Sequence, residues 1–325
     1  MHIAYVAPLE RAWSRMKVIL FHPFELETWI VLGFASFLAA LGESGGGGWA
    51  NGYRYTLGKQ ETGVEGLQEA FRRVLDVLGN PVWVVLIVFA FLIVVALVVL
   101  FLWISSRAKF IFLDDVLHDR AAIGEPWKRF QRLGDSLFLW HLAYSAICFL
   151  LILILVVPLA VVVWNGMEGG WLAARILSLM GLALLVSLVA VAMVFVKMLL
   201  NNFVVPIMYR DDVTATAAWG RFLSLFRGHF LRFVLYGLFL FVLAIAVGAV
   251  IIVAGCATLC CGFILLVVPY VGSVLILPIS VTYRAYGPEF LAQFGPEWSL
   301  FPAPPTPAPA PEPTPPEPPP PEALA

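Results

Sequence analysis

Charge is scarce in this sequence. Only 13% of its 325 residues are Asp, Glu, Lys or Arg, while 61% are hydrophobic. A soluble domain carries roughly 25% charge, so an ordinary aqueous fold is excluded and a bilayer is needed to take the apolar surface. The longest gap lies between Arg232 and Arg284, where 51 residues pass without a charge. As one helix that stretch would be about 76 Å long, against a hydrocarbon core of about 30 Å. It must fold back once, and "AGCATLCCG" at 254–262 is the natural bend.

Other absences narrow the chemistry. There are only four cysteines, which excludes a disulfide-built scaffold. Cys256, Cys260 and Cys261 fall in the bend, where they read either as a bridge facing an oxidising exterior or as small residues of a tight hairpin. No phosphate-binding loop, G-x-S-x-G or H-E-x-x-H is present, so no enzyme class is named by a motif. Ion-coupled carriers place ionisable groups at membrane depth; here none stands near the middle of any apolar run. The expectation is a non-enzymatic protein without cofactor or nucleic-acid partner.

What is present is a series of apolar runs, about 26–42, 81–104, 136–163, 173–197, 231–254 and 262–283. The first is short, but charge bias supports it. Counted over the segments between six spans, alternate segments starting from the N-terminus hold 15 of the 20 Lys and Arg. The richer side faces the cytoplasm, so the reading is a plasma (inner) membrane protein with both termini cytoplasmic. The first run starts some 27 residues in, too late for a cleaved signal. Residues 43–80 form an external loop with an amphipathic helix over 64–80, and "WNGMEGGW" at 164–171 a short interfacial hairpin. From 302 to 325, 13 of 24 residues are Pro. That tail is a disordered polyproline-like arm, read as a solvated spacer or as a ligand for an SH3-like protein partner.

A motif recurs before the spans: "AWSRM" at 12–16, "PWKRF" at 126–130 and "AWGRF" at 218–222. Around Trp219 the apolar residues Phe222, Leu223, Phe226 and Phe230 share one helix face. Trp13, Met16 and Leu20 do the same, as do Trp127, Phe130, Leu137 and Phe138 less regularly, with Gly134 interrupting. Trp suits an interface because its ring is apolar and its N–H wants a polar partner. Arg two residues on can reach lipid phosphate. The fold class is therefore all-α integral membrane: residues 1–301 as six transmembrane helices in three repeats of interfacial helix plus helical hairpin. Trp13, Arg15, Trp127, Arg129, Trp219 and Arg221 are the expected contacts for lipid or a partner. Asp-Asp-Val at 114–116 and 211–213 echoes the repeat, with five more residues between the pair and Trp in the first copy.

One constellation has metal-ligand residue types. In "DDVLHD", Asp115, His118 and Asp119 share a helix face, and carboxylates with imidazole hold divalent cations. The alternative, helix capping and surface charge, is preferred: the copy at Asp211-Asp212 has no His and stands just before a helix, where Asp caps well. His141, Asn201 and Asn202 read as peripheral. Pro158, Pro206, Pro269 and Pro278 are positions for kinks that could shape a cavity.

The segment "VVPIMYRDDVTATAAWGRFLSLFRGHF" at 204–230, its weaker copy at 110–138 and "FLAQFGPEWSLFP" at 290–302 carry a resemblance. The chain resembles uncharacterised prokaryotic multi-pass membrane proteins related to the membrane domain of glycerophosphodiester phosphodiesterases. The phosphodiesterase domain, with its His-Arg-Gly and Glu-Asn signatures, is missing from this sequence, so the resemblance implies a membrane module without enzyme activity. The expected function is contact with membrane lipid head groups or a partner protein. The rival is a transporter or lipid-translocating protein with a cavity among kinked spans.

Overall fold

The computed structural model describes residues 3–42, 79–165, 172–258, 261–268 and 270–301. The external loop, the hairpin tip at 164–171 and the proline-rich tail lie wholly or mostly outside them. All regular structure among the described residues is helical. In chain order it runs α1 (Val6–Phe21), α2 (Leu26–Leu41), α3 (Pro81–His118), α4 (Gly124–Arg129), α5 (Gln131–Asn165) and α6 (Leu172–Leu199). A π-helical turn (Leu200–Val204) leads to α7 (Val205–Asp211), α8 (Ala215–Ala257), α9 (Cys261–Val267), α10 (Val271–Leu275) and α11 (Leu277–Leu291), and two 3₁₀ turns follow.

Among the described residues four helical stretches are long and apolar enough to cross a bilayer: Pro81–His118, Gln131–Leu155, Leu177–Asp211 and Ala215–Ala257. Each has two parts. On α3 nearly every side chain from Val82 to Phe101 is exposed, whereas Ser105–Leu117 are buried. The exposed part is about 30 Å long, the thickness of hydrocarbon it must match. On the α6 stretch Leu177–Val194 is largely exposed, and Leu199 to Met208 is largely buried. On α8 the buried Phe222, Phe233, Tyr236 and Leu240 give way to exposed Phe241, Val242 and Ile245. The outer parts present apolar surface of membrane-spanning length; the inner parts pack on one another in a shared junction core. Its centre is aromatic: Phe203 lies 5.5 Å from Phe222 and 4.9 Å from Tyr236, and Phe290 4.5 Å from Tyr236, centroid to centroid.

Among the described residues four of the six expected spans are helices of spanning length, and the runs at the two ends are built differently. The first run forms α2, of 16 residues, about 24 Å long. The last run, expected as one helix over 262–283, is broken into α9, α10 and the start of α11. Tyr270 takes a left-handed φ of 57°, and Pro278 sits in the first turn of α11. Gly272 approaches the Leu266 carbonyl so closely that a Cβ would stand 2.4 Å from its oxygen, so only glycine permits this break. The broken segment packs on α2: Tyr270 Oη donates to Ile30 O at 3.1 Å, and Gly33 faces Val274.

Within the stretch expected to bend, α8 ends at Ala257 and α9 begins at Cys261. Thr258 Oγ1 accepts from Gly262 N–H at 3.1 Å and holds it. Cys256 is an exposed free thiol. The three Trp-x-Arg segments are unequal in build. The first is a separate helix, α1. The second is the six-residue α4. The third is continuous with its span in α8, interrupted only at His229 (φ −137°), just after Gly228.

Candidate functional site

The Trp-x-Arg residues lie on helices of the junction core, where four of the six contact residues distant in sequence or on another helix. The buried face of α1 is Ala12, Met16, Ile19 and Leu20, so Trp13 stands beside it and is 46% exposed. Arg15 donates from Nε to Glu289 Oε1 at 2.7 Å, Arg11 reaches the other oxygen at 2.8 Å, and the Arg15 guanidinium covers the Phe301 ring at 3.7 Å. Trp127 and Trp103 both lie against the Arg107 guanidinium, which pairs with Asp135 at 2.8 Å. Trp219 stacks on Trp140 at 5.6 Å, and Trp140 on Tyr144 at 5.1 Å. Arg221 pairs with Asp211. Arg129 is exposed, its guanidinium 5.4 Å from the Phe130 ring.

The proposed metal face is not assembled. Asp115 is fully buried, while His118 and Asp119 are exposed. Among the described residues no group of three His, Cys, Asp or Glu could hold a metal ion. The acids close a helix end instead. Asp119 takes a left-handed φ of 50° at the end of α3, and Arg120 N–H donates to Asp115 O at 3.1 Å, the six-to-one bond of a Schellman termination. Asp115 Oδ1 accepts from Ala122 N–H at 3.2 Å. Asp114, also fully buried, accepts from Tyr209 Oη at 2.5 Å and binds Arg120. That hydrogen bond raises the Arg120 pKa above its ordinary value, against a smaller opposing effect of burial.

Asp212 ends α7 in the same left-handed geometry, φ 50° and ψ 43°. It is a helix stop, and Thr214 takes the N-terminal position of α8. The amide of Ala215 is satisfied by Ser136 Oγ at 3.0 Å, not by an aspartate. Asp119 and Asp212 thus share one left-handed conformation at a helix end, eight and seven residues before a Trp.

Sequence reasoning missed three features. Gly134 is the point where α5 meets α3; a Cβ there would lie 2.4 Å from Arg107 Cγ and 3.1 Å from its Cα. Glu289, with a side chain 6% exposed, anchors two arginines of α1. His141 and Asn201 meet at a buried lysine: Lys109 Nζ lies 3.3 Å from His141 Nε2 and 2.9 Å from Asn201 Oδ1. His141 Nδ1 meets Leu137 O at 2.9 Å, so the neutral tautomer with its proton on Nδ1 accepts from the lysine at Nε2. The pair Lys109 and His141 are 32 positions apart, beyond any local pattern.

With this geometry in place, comparison with known proteins gives one result. Residues 4–293 match the model of a protein family of unknown function, DUF7544. The chain belongs to that family. The match runs from just before α1 to just after α11 and so takes in every helix of the junction core, leaving the proline-rich tail outside. No curated protein and no solved structure matches the chain. Nothing in these comparisons links it to the phosphodiesterase membrane domain.

Proposed function

We propose that this chain is a non-enzymatic module of the plasma membrane whose junction core faces the cytoplasm and contacts lipid head groups along its rim. The observation that carries the reading is where the exposed apolar surface stops. On α3, α6 and α8 it ends as the chain enters the core. The exposed Trp13, Arg129 and Arg221 and the exposed Lys128 and Arg227 belong to the core's helices. Aromatic and cationic side chains at such a boundary match the interfacial zone of a bilayer. Arg221 keeps a side-chain exposure of 51% while paired with Asp211, so its outer edge is open to phosphate. The threefold repeat belongs to this reading through its ledges, as does kinship with the phosphodiesterase membrane domain through 204–230.

The test is gentle purification followed by native mass spectrometry and reconstitution. Acidic phospholipid is expected to stay bound in preference to phosphatidylcholine, and liposomes holding the protein are expected to show no solute flux and no lipid scrambling above empty liposomes. Flux or scrambling would replace this reading with the transporter or lipid-translocating one.

A further inference from the structure

We propose that the proline-rich tail docks, through its segment 311–317, on a cavity of its own chain where α3 and α7 end and α5 begins. The cavity has a volume of about 510 Å³. Among the described residues Phe130, Leu133, Tyr209 and Leu300 give it apolar lining, and Arg129 stands exposed at its edge. The proposal goes beyond the rim reading and does not rest on it, since it concerns a contact within the chain.

The place where the tail starts is the first argument. Leu300 lines the cavity, and Phe301 is buried beneath the Arg15 guanidinium. Just before them, the Arg210 guanidinium binds the Glu297 carbonyl and lies 5.2 Å from the Trp298 ring. Arg210 itself lines the cavity and pairs with Asp211. The chain is therefore fixed at the cavity edge when the tail of 24 residues begins. Ten residues lead from Phe301 to Pro311, about 31 Å of polyproline helix, enough to turn back across a cavity of this size. A tethered segment meets its site at an effective concentration on the order of millimolar, so contacts too weak to hold a separate peptide can hold a tail.

Charge is the second argument. The tail carries Glu312, Glu317 and Glu322 and no Lys or Arg. Arg129 and its neighbour Lys128 are exposed on α4, and neither forms an ion pair among the described residues. Asp212, the acid in the described lining, pairs with Arg132. Shape is the third. The Phe130 and Tyr209 rings lie 5.5 Å apart, and the Arg129 guanidinium is 5.4 Å from the Phe130 ring. Proline-rich segments dock in aromatic-lined grooves because their extended helix is formed beforehand and little order is lost. In "PEPTPPE" prolines stand on both sides of Glu312 and just before Glu317, so a carboxylate at Arg129 brings proline rings to the adjoining aromatic pair.

The test uses the full chain in neutral detergent, with the four natural cysteines replaced and spin labels on Gln131→Cys and Thr314→Cys. Gln131 is exposed beside Phe130, and neither label removes a contact that the docking uses. An undocked tail extended as polyproline would put Thr314 about 40 Å from Phe301. Docking is expected to add a short, narrow component to the distance distribution. Glu312→Lys with Glu317→Lys should abolish that component without touching the helical core, and Arg129→Glu in the same chain should restore it. Arg129→Glu alone should also abolish it, with the thermal midpoint unchanged because the residue is exposed. Salt at about 1 M, where the screening length is about 3 Å, should reduce it. A single broad distribution for the wild-type tail, or a short component that charge reversal leaves unchanged, overturns the proposal. So does a short component that vanishes when labelled protein is diluted into excess unlabelled protein, which would give the cavity to the tail of a second copy.

Discussion

At the residue scale the junction core is built on contacts that only glycine permits and on buried charges that only a partner makes tolerable. Gly287 and Gly220 make the sharpest contrast. A Cβ on Gly287 would meet the Asn202 backbone at 2.4 Å; a Cβ on Gly220 would meet nothing within 4 Å. Gly287→Ala should therefore lower the thermal midpoint in detergent, by about 1–3 kcal/mol of stability as overpacking usually costs. Gly220→Ala, in the exposed interior of α8, should raise stability by up to about 1 kcal/mol. Equal effects of the two would contradict the close approach of α11 to the π turn. Buried polar residues were the least legible part of the sequence. Nothing local marks Glu289 as the anchor for Arg11 and Arg15, because the partners are 278 and 274 positions apart. The Trp-x-Arg motif was legible as a pattern, yet two of its three arginines bind carboxylates of the protein, a choice made by tertiary contact.

At the element scale the apolar runs were legible because composition alone decides where lipid is the solvent. Where runs stop being uniform, the sequence pointed less surely. The last run has no charge from 262 to 283, so hydropathy reads one helix. The backbone reads a left-handed Tyr270 and a close contact at Gly272, and three short helices result. The aspartates show the same limit. Asp211-Asp212 lies next to a helix start, which makes an N-cap plausible on local grounds, but Asp212 is the left-handed stop of the preceding helix. Aspartate, like asparagine, tolerates that conformation better than most residues, glycine adopts it freely, and a β-branched residue is strained there by roughly 1–2 kcal/mol. Asp119→Gly and Asp212→Gly should accordingly hold or raise the thermal midpoint, whereas Asp119→Val and Asp212→Val should lower it. The Asp212 pairing with Arg132 involves side chains 64% and 72% exposed and adds little, so its loss should not mask the gain. A lower midpoint in both glycine variants would contradict the assignment of these residues as helix stops.

At the scale of the whole molecule, four long helices with lipid-length exposed parts meet in one polar and aromatic core, and short helices at both ends of the chain pack into it. This division of each helix into an outer and an inner part explains how a chain with so little charge buries Arg107, Lys109, Asp114, Asp115 and Glu289. They lie beyond the exposed apolar lengths, where hydrogen-bond and ion-pair partners compensate them. The central claim is that the outer lengths cross the membrane and the core stays on its cytoplasmic side. It is tested most directly by labelling single cysteines with a membrane-impermeant maleimide, in a background with the four natural cysteines replaced. Lys128→Cys and Ser224→Cys should react only after intact cells are permeabilised, and Asn165→Cys, at the far end of α5, should react before. Reaction of either core position in intact cells, or opposite behaviour of the two, would contradict the account.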